Sequence, residues 1–214
     1  MNNLKNYIFE KLKISKNTKI NSYEYYPRTN NELYDLVRKL VEERGKNANL
    51  NDIDTSKITD MSEIFRKIEF DGDISNWDVS NVENMDSMFR DSKFTGKNSN
   101  ISNWNTRNVK DMNFMFEGSK FNGDISEWDV SNVENMDSMF ENSDFTGKNG
   151  DISNWDVRNV KTMHHMFSNS LFNSDINKWK PTSLKGSIDT FYNCELKANN
   201  HPDWYKKIHP YNYI

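Results

Sequence analysis

Five tryptophans, Trp77, Trp104, Trp128, Trp155 and Trp179, follow one another at spacings of 27, 24, 27 and 24 residues. Each sits inside a variant of one run. Asp73-Ile74-Ser75-Asn76-Trp77-Asp78-Val79-Ser80-Asn81-Val82 returns at residues 124–133 with a single substitution, Glu127 for Asn76, and looser copies begin at Asn100, Asp151 and Asp175. Ile53, 24 residues before Trp77, marks the same slot in a divergent first copy that also contains Leu50, Ile58, Met61 and Phe65. A unit this short cannot bury an apolar side alone, so the copies must stack on one another.

Within each copy the apolar period changes. Ile74, Trp77 and Val79 fit a short strand with Asn76, Asp78 and Ser80 on its outer face. Val82, Met85, Met88 and Phe89 then fall at helical spacing, and Ser80 with Glu83 has the form of a capping box that recurs as Ser131 with Glu134. Turns containing Gly72, Gly96, Gly123 or Gly147 reset the chain. The prediction is an α/β solenoid of about six strand–short helix repeats. Stacking aligns Met61, Met85, Met112, Met136 and Met163 into one core ladder, and Phe65, Phe89, Phe116, Phe140, Phe167 and Phe191 into another. The slot Asn49, Asp73, Asn100, Asp124, Asp151, Asp175 is expected to bond local backbone, as Asx residues do in turns. Three extra residues in alternate copies follow Phe94 and Phe145, which predicts longer loops on one side of the stack.

A stack needs its ends covered. Thr29 and Glu32 form a capping box ahead of Leu33, Leu36, Val37, Leu40 and Val41, with Gly45 as the stop, which predicts an amphipathic helix over the first repeat. Leu4, Tyr7, Ile8 and Leu12 form a shorter helical stripe upstream, and the tyrosine-rich stretch Tyr23, Tyr25, Tyr26 reads as extended. At the far end the sixth copy decays, with Pro181 in place of Val and Ser187 in place of Met. A short helix with Pro202 at its first position should follow, its Trp204 and Tyr205, with Tyr211 and Tyr213, covering the last repeat. The chain thus divides into a helical cap over 1–47, repeats over 48–192 and an irregular capping tail over 193–214.

The run Asp-Ile-Ser-Asn-Trp-Asp-Val-Ser-Asn-Val-x-Asn-Met-x-x-Met-Phe resembles the repeat of the BspA-like leucine-rich-repeat surface proteins of bacteria. The likeness covers about residues 48–192, with Trp, Met and Phe recurring in register. It implies a leucine-rich-repeat-like stack, and a role in surface display, adhesion and protein binding.

The net charge of −4 argues against a general nucleic-acid binder, which shows a basic face. Cys194 is the only cysteine, so neither an intramolecular disulfide nor a cysteine metal cluster is expected. Residues 1–14 scatter Lys5, Glu10, Lys11 and Lys13 among apolar residues, unlike a signal peptide, and no later run is long and apolar enough to cross a membrane. A cytoplasmic monomer without membrane insertion is expected, with the cell surface as the alternative.

Candidate chemistry is sparse. His164 and His165 sit in slots that hold Asp137 and Ser138 in another copy, and read as exposed surface on a helix. Thr95-Gly96-Lys97 and Thr146-Gly147-Lys148 lack the remainder of a phosphate loop, and Asp71-Gly72-Asp73 lacks the other ligands of a calcium loop. No catalytic residue, metal site or cofactor is expected. The one constellation of interest is the outer strand face. Its central column reads Asp54, Asp78, Asn105, Asp129, Asp156, Lys180. The candidate binding face is its middle, Asp78, Asn105, Asp129 and Asp156, flanked by Asn76, Asn103, Glu127 and Asn154 and by Ser80, Arg107, Ser131 and Arg158. The arginines are expected to neutralise part of its charge. This pattern points to a non-enzymatic module that binds a protein partner through an extended face, with one version a phage or mobile-element inhibitor of a host factor. The alternatives are a BspA-like surface adhesin, and an acidic mimic of nucleic acid.

Overall fold

A computed structural model of the chain describes residues 23–210. The stripe Leu4, Tyr7, Ile8, Leu12 and the tyrosines Tyr211 and Tyr213 lie outside the described residues.

Helix α1 spans Asn30–Arg44. The Thr29 hydroxyl accepts the Glu32 N–H at 3.3 Å, while the Glu32 carboxylate takes the Arg28 N–H at 2.7 Å, one residue earlier than in the usual capping box. Gly45, at φ +86°, ends the helix with its N–H on the Val41 carbonyl. The stripe Leu33, Leu36, Val37 and Leu40 is wholly buried and joins the core of the repeats. Just upstream, Tyr25 forms a single parallel bridge with Ile53.

The α/β solenoid of six strand–short helix repeats does not form. Among the described residues there are two α-helices, α1 and α2 (Asp203–Ile208), both outside the repeats, and two short 3₁₀ turns, Ile152–Asn154 and Ala198–Asn200. Bridging is confined to isolated parallel pairs, with no sheet. Each copy is instead a coil of turns. We number the coils 1–6, ending at Phe70, Phe94, Phe121, Phe145, Phe172 and Leu196.

The reason lies in the segment expected to be helical. In coil 2 the N–H groups of Met88, Arg90 and Ser92 bond the carbonyls of Met85, Ser87 and Phe89, three residues back in each case. Overlapping turns of this kind place apolar residues three and four apart, the spacing that a helix shares. Ser87 and Asp91, however, have φ near +55°, and equivalent residues in the other coils follow suit, Glu63, Phe114, Ser138, His165 and Asp189 in one column and Lys67, Gly118, Asn142, Asn169 and Asn193 in the other. A left-handed residue at every fourth position breaks a right-handed helix. The second column is mostly Asn, Asp and Gly, the residues that tolerate this conformation, whereas the first is not.

What holds the left-handed residues is bonding between coils. In coil 2 the N–H groups of Met85, Ser87, Phe89 and Asp91 donate to the carbonyls of Asp111, Asn113, Met115 and Glu117 in coil 3, and the same four bonds recur at every coil junction. One bridge per coil junction lies in this row, linking Asp60, Asn84, Asp111, Asn135, Thr162 and Gly186 in sequence.

Asx turns make the corners. The first column is as expected: Asn49, Asp73, Asn100, Asp124, Asp151 and Asp175 each accept the N–H two residues on. A second column, Asp54, Asp78, Asn105, Asp129 and Asp156, and a third, Asp60, Asn84, Asp111 and Asn135, do the same. Inside, the phenylalanine ladder from Phe65 to Phe191 stacks nearly parallel at centroid distances of 5.2 to 5.7 Å. A second ladder, Phe70, Phe94, Phe121, Phe145 and Phe172, packs against it. The longer loops are tied back to the stack rather than free: Thr95 gives both its N–H and its hydroxyl to the Asp71 carboxylate at 2.8 Å, and Thr146 does so to Asn122.

Candidate functional site

The outer face survives the change of secondary structure, because its inward and outward alternation does. Trp77 and Val79 are buried while Asn76 and Asp78 are exposed, and coils 3 to 5 repeat the pattern except that Asp156 in coil 5 is half-buried. The twelve candidate residues therefore form three columns across coils 2 to 5. Asn76, Asn103, Glu127 and Asn154 are exposed, as are Asp78, Asn105, Asp129, Arg107 and Arg158, while Ser80, Ser131 and Asp156 are half-buried.

The columns differ in how far the fold uses them. The central carboxylates and Asn105 each hold an Asx turn, accepting the N–H of Ser80, Arg107, Ser131 or Arg158. The carbonyls of Ser80, Arg107 and Ser131 accept the side-chain amides of Asn108, Asn132 and Asn159 from the next coil. Asn81 is likewise a clamp, donating to the Ser56 carbonyl. The side chains of Asn76, Asn103 and Glu127 make no bond to another group among the described residues, and neither do those of Ser80, Arg107 and Ser131, which are fixed through their backbone groups; Asn154 accepts from Lys178 at 3.0 Å.

Charge neutralisation on this face is local. Arg158 grips Asp156 of its own coil through Nε at 2.8 Å and Nη2 at 2.6 Å, and this hydrogen bonding holds the Asp156 carboxyl below the usual aspartate range. Arg107 makes no ion pair among the described residues. Cross-coil pairs occur on a neighbouring row instead, Lys110 with Glu83 at 2.7 Å and Lys161 with Glu134 at 2.6 Å.

At and beside the third row of Asx corners, burial disfavours ionised carboxylates. Burial pushes the Asp111 carboxyl above the aspartate range, and Asp137 adds to the rise. Burial does the same for Asp86, with Asp111 and Glu63 adding to it. A carboxyl whose folded pKa is raised opposes folding when ionised. Its cost is absent below the unfolded pKa and complete once pH passes the folded one. Asp111→Asn keeps the oxygen that accepts the Asn113 N–H, as Asn84 and Asn135 do in the adjacent coils. This variant is expected to melt higher than the parent at neutral pH, with the difference shrinking to nothing as the pH falls through the carboxylate range. Melting curves of the two proteins across that range check it.

His164 is not free surface, nor is it on a helix. It is half-buried, its Nδ1 accepts the Ile188 N–H at 3.0 Å, and its ring lies where a side chain at Gly186 would stand. An open cleft of about 520 Å³ separates coil 6 from the tail, lined by polar groups such as Asn177, Asn200, Asp203 and Lys206. Apolar exposure was missed in the sequence reading: Leu171, Ile188, Tyr192 and Ile208 are the large hydrophobic residues left open to solvent among the described residues. Comparing one slot across the coils reveals the first three, since the slots of Ile188 and Tyr192 hold Asp137 and Glu141 in coil 4, and Leu171 stands where Asp144 does.

Stacked turn-built coils with a periodic polar exterior define a repeat protein. Residues 34–148 and 119–209 match the family described as Mycoplasma protein of unknown function, DUF285, and the chain belongs to that family. Comparison with curated proteins and with solved structures gave no match. No helix among the described residues is long and apolar enough to cross a membrane.

Proposed function

We propose that the chain is a non-enzymatic protein-binding repeat module. The observation that carries this is the column Asn76, Asn103, Glu127, which presents one exposed polar side chain per coil that the fold itself does not use. Extended faces of stacked repeats suit the recognition of other macromolecules. One version of this module is a phage or mobile-element protein that blocks a host factor. Mimicry of nucleic acid is disfavoured, because Asn105 interrupts the carboxylate column and Arg158 neutralises Asp156.

The finer relationship we infer is to the BspA-like leucine-rich-repeat surface proteins, on the Trp, Met and Phe register of the repeated run. It supports a second reading, adhesion at the cell surface.

The test is an affinity capture from host lysate with two full-length baits. One is the parent and the other carries Asn76→Lys, Asn103→Lys and Glu127→Lys. Lysine already fills this slot as Lys178 in coil 6, and these side chains bond nothing, so the fold should be kept. A single intracellular protein retained by the parent and lost from the variant is the expected result. Capture of cell-envelope proteins alone shifts the function to adhesion, and identical capture by both baits removes the outer face as the site.

A further inference from the structure

Three properties of the C-terminal end set it apart from the rest of the stack. The first is apolar exposure. Ile188 and Tyr192 are 58% and 61% exposed on coil 6, with Leu171 on coil 5 and Ile208 on α2 also open. In the five preceding coils the slot of Ile188 holds Ser62, Asp86, Asn113, Asp137 and His164, and that of Tyr192 holds Arg66, Arg90, Glu117, Glu141 and Ser168. Charged columns that pair between coils, as Arg90 does with Glu117, thus turn apolar at the end.

The second is charge. Residues 1–156 carry 20 Lys and Arg against 28 Asp and Glu, a net of −8, whereas residues 157–214 carry 8 against 4, a net of +4. The central acidic column itself ends in Lys180, which is exposed, as are Lys185, Lys197 and Lys207. Asp175, Asp189 and Glu195 are the acidic groups of coil 6; Asp175 holds the Asn177 N–H in its Asx turn, and Glu195 lies 4.0 Å from Lys197.

The third is an open row of donors. Left-handed residues give their N–H groups to the next coil throughout the stack, ending with His165 on the Ile188 carbonyl and Asn169 on the Tyr192 carbonyl. In coil 6 the tail covers part of this row: His209 bonds the Ser187 hydroxyl at 2.8 Å, and the Tyr205 ring packs edge-on against Phe191. Between and beyond these, the exposed Asp189 and Asn193 have N–H groups that meet no acceptor among the described residues. At the opposite end the complementary carbonyls are all taken, by Asn30 and Arg38 of α1.

We propose that the open edge of coil 6 is a docking surface for an acidic protein segment that also carries apolar side chains. Its carboxylate and carbonyl oxygens would accept from the Asp189 and Asn193 N–H groups and the surrounding lysines, while its apolar residues cover Ile188 and Tyr192. This rests on the protein-binding reading and names the partner's chemistry, which the acidic remainder of the surface would repel from any other site.

The test uses the full chain and three labelled peptides of one length, sharing the same Leu and Phe positions with Glu, Gln or Lys between them. The variant Ile188→Asp with Tyr192→Glu installs what coil 4 carries as Asp137 and Glu141, so the stack should keep its fold. Fluorescence anisotropy is expected to show saturable binding of the Glu peptide, weakened at least about tenfold by the Gln peptide or by the double variant. Equal binding of the Gln or Lys peptide, an unaffected double variant, or no saturable binding of the Glu peptide overturns the proposal. So does binding of a thymidine oligonucleotide or anionic vesicles that only the parent shows, or a self-association in sedimentation that the double variant abolishes. If lysate capture depends on Asn76, Asn103 and Glu127 while the peptide tests fail, this docking site falls and the protein-binding function stands.

Discussion

Replacing Trp128 by alanine is expected to cost about 3–5 kcal/mol, the range for truncating a large aromatic in a packed core. The ring is 3% exposed and stacks on Trp104 and Phe116, each 6.2 Å away between centroids. Its Nε1 donates to the Ile101 carbonyl of the coil before at 2.9 Å; that carbonyl also accepts the Trp104 N–H at 3.2 Å, so truncation removes one bond, worth about 1 kcal/mol, without leaving the acceptor unpaired. Trp128→Phe separates the two effects, since it keeps most of the packing and loses only the bond. Trp104 offers an internal control, because its Nε1 finds no hydrogen-bond partner, so Trp104→Phe should be much milder than Trp128→Phe. Urea unfolding of the four proteins measures this. Equal cost for the two phenylalanine variants would show that the tryptophan bonds contribute little, and an unchanged Trp128→Ala would mean that the ring does not face the core.

The register of the repeats and the inward-facing positions were legible in the sequence, for a physical reason. Burial depends on which side chains point in, and Ile74, Trp77, Val79, Val82, Met85, Met88 and Phe89 are all buried. The Asx corners at Asp73 and its equivalents were legible too, because a short side-chain acceptor beside its own backbone leaves few alternatives. Backbone conformation was not. Spacing of three and four is shared by a helix and by overlapping turns, and the left-handed column Glu63, Ser87, Phe114, Ser138, His165, Asp189 lacks the glycine or asparagine that would betray it. Those residues are held by bonds to the next coil, a non-local cause that local propensity does not record. The candidate outer face was legible as a set of exposed positions, but the share of it already used inside the fold was not. That share, the Asx turns of Asp78 and Asp129 and the carbonyls taken by Asn108 and Asn159, appears only when coils are seen together.

The second large effect is expected at the other end of the stack. Coil 1 has no coil before it, so four carbonyls in its bonding row, those of Asp60, Ser62, Ile64 and Arg66, would otherwise face no donor. Helix α1 supplies them from two side chains. Asn30 Nδ2 donates to Asp60 and Ser62 at 3.3 and 2.9 Å, and the Arg38 guanidinium donates to Ile64 and Arg66 at 3.1 and 3.3 Å. Arg38 is also stacked on the Tyr34 ring, with its guanidinium carbon 3.2 Å from the centroid. Arg38→Ala removes two charge-assisted bonds and should cost about 2–3 kcal/mol, since such bonds contribute more than neutral ones. Arg38→Lys should recover less than half of that, because a point ammonium cannot reproduce the planar fork that spans both carbonyls. The loss should also be graded along the chain. Stability in a stack is a sum of neighbour interactions, so hydrogen exchange should quicken in α1 and coil 1 while the amides of coils 4 and 5 keep their protection. Uniform loss of protection through all six coils would show instead that the stack unfolds as one unit, with α1 holding the whole of it and not only its first edge.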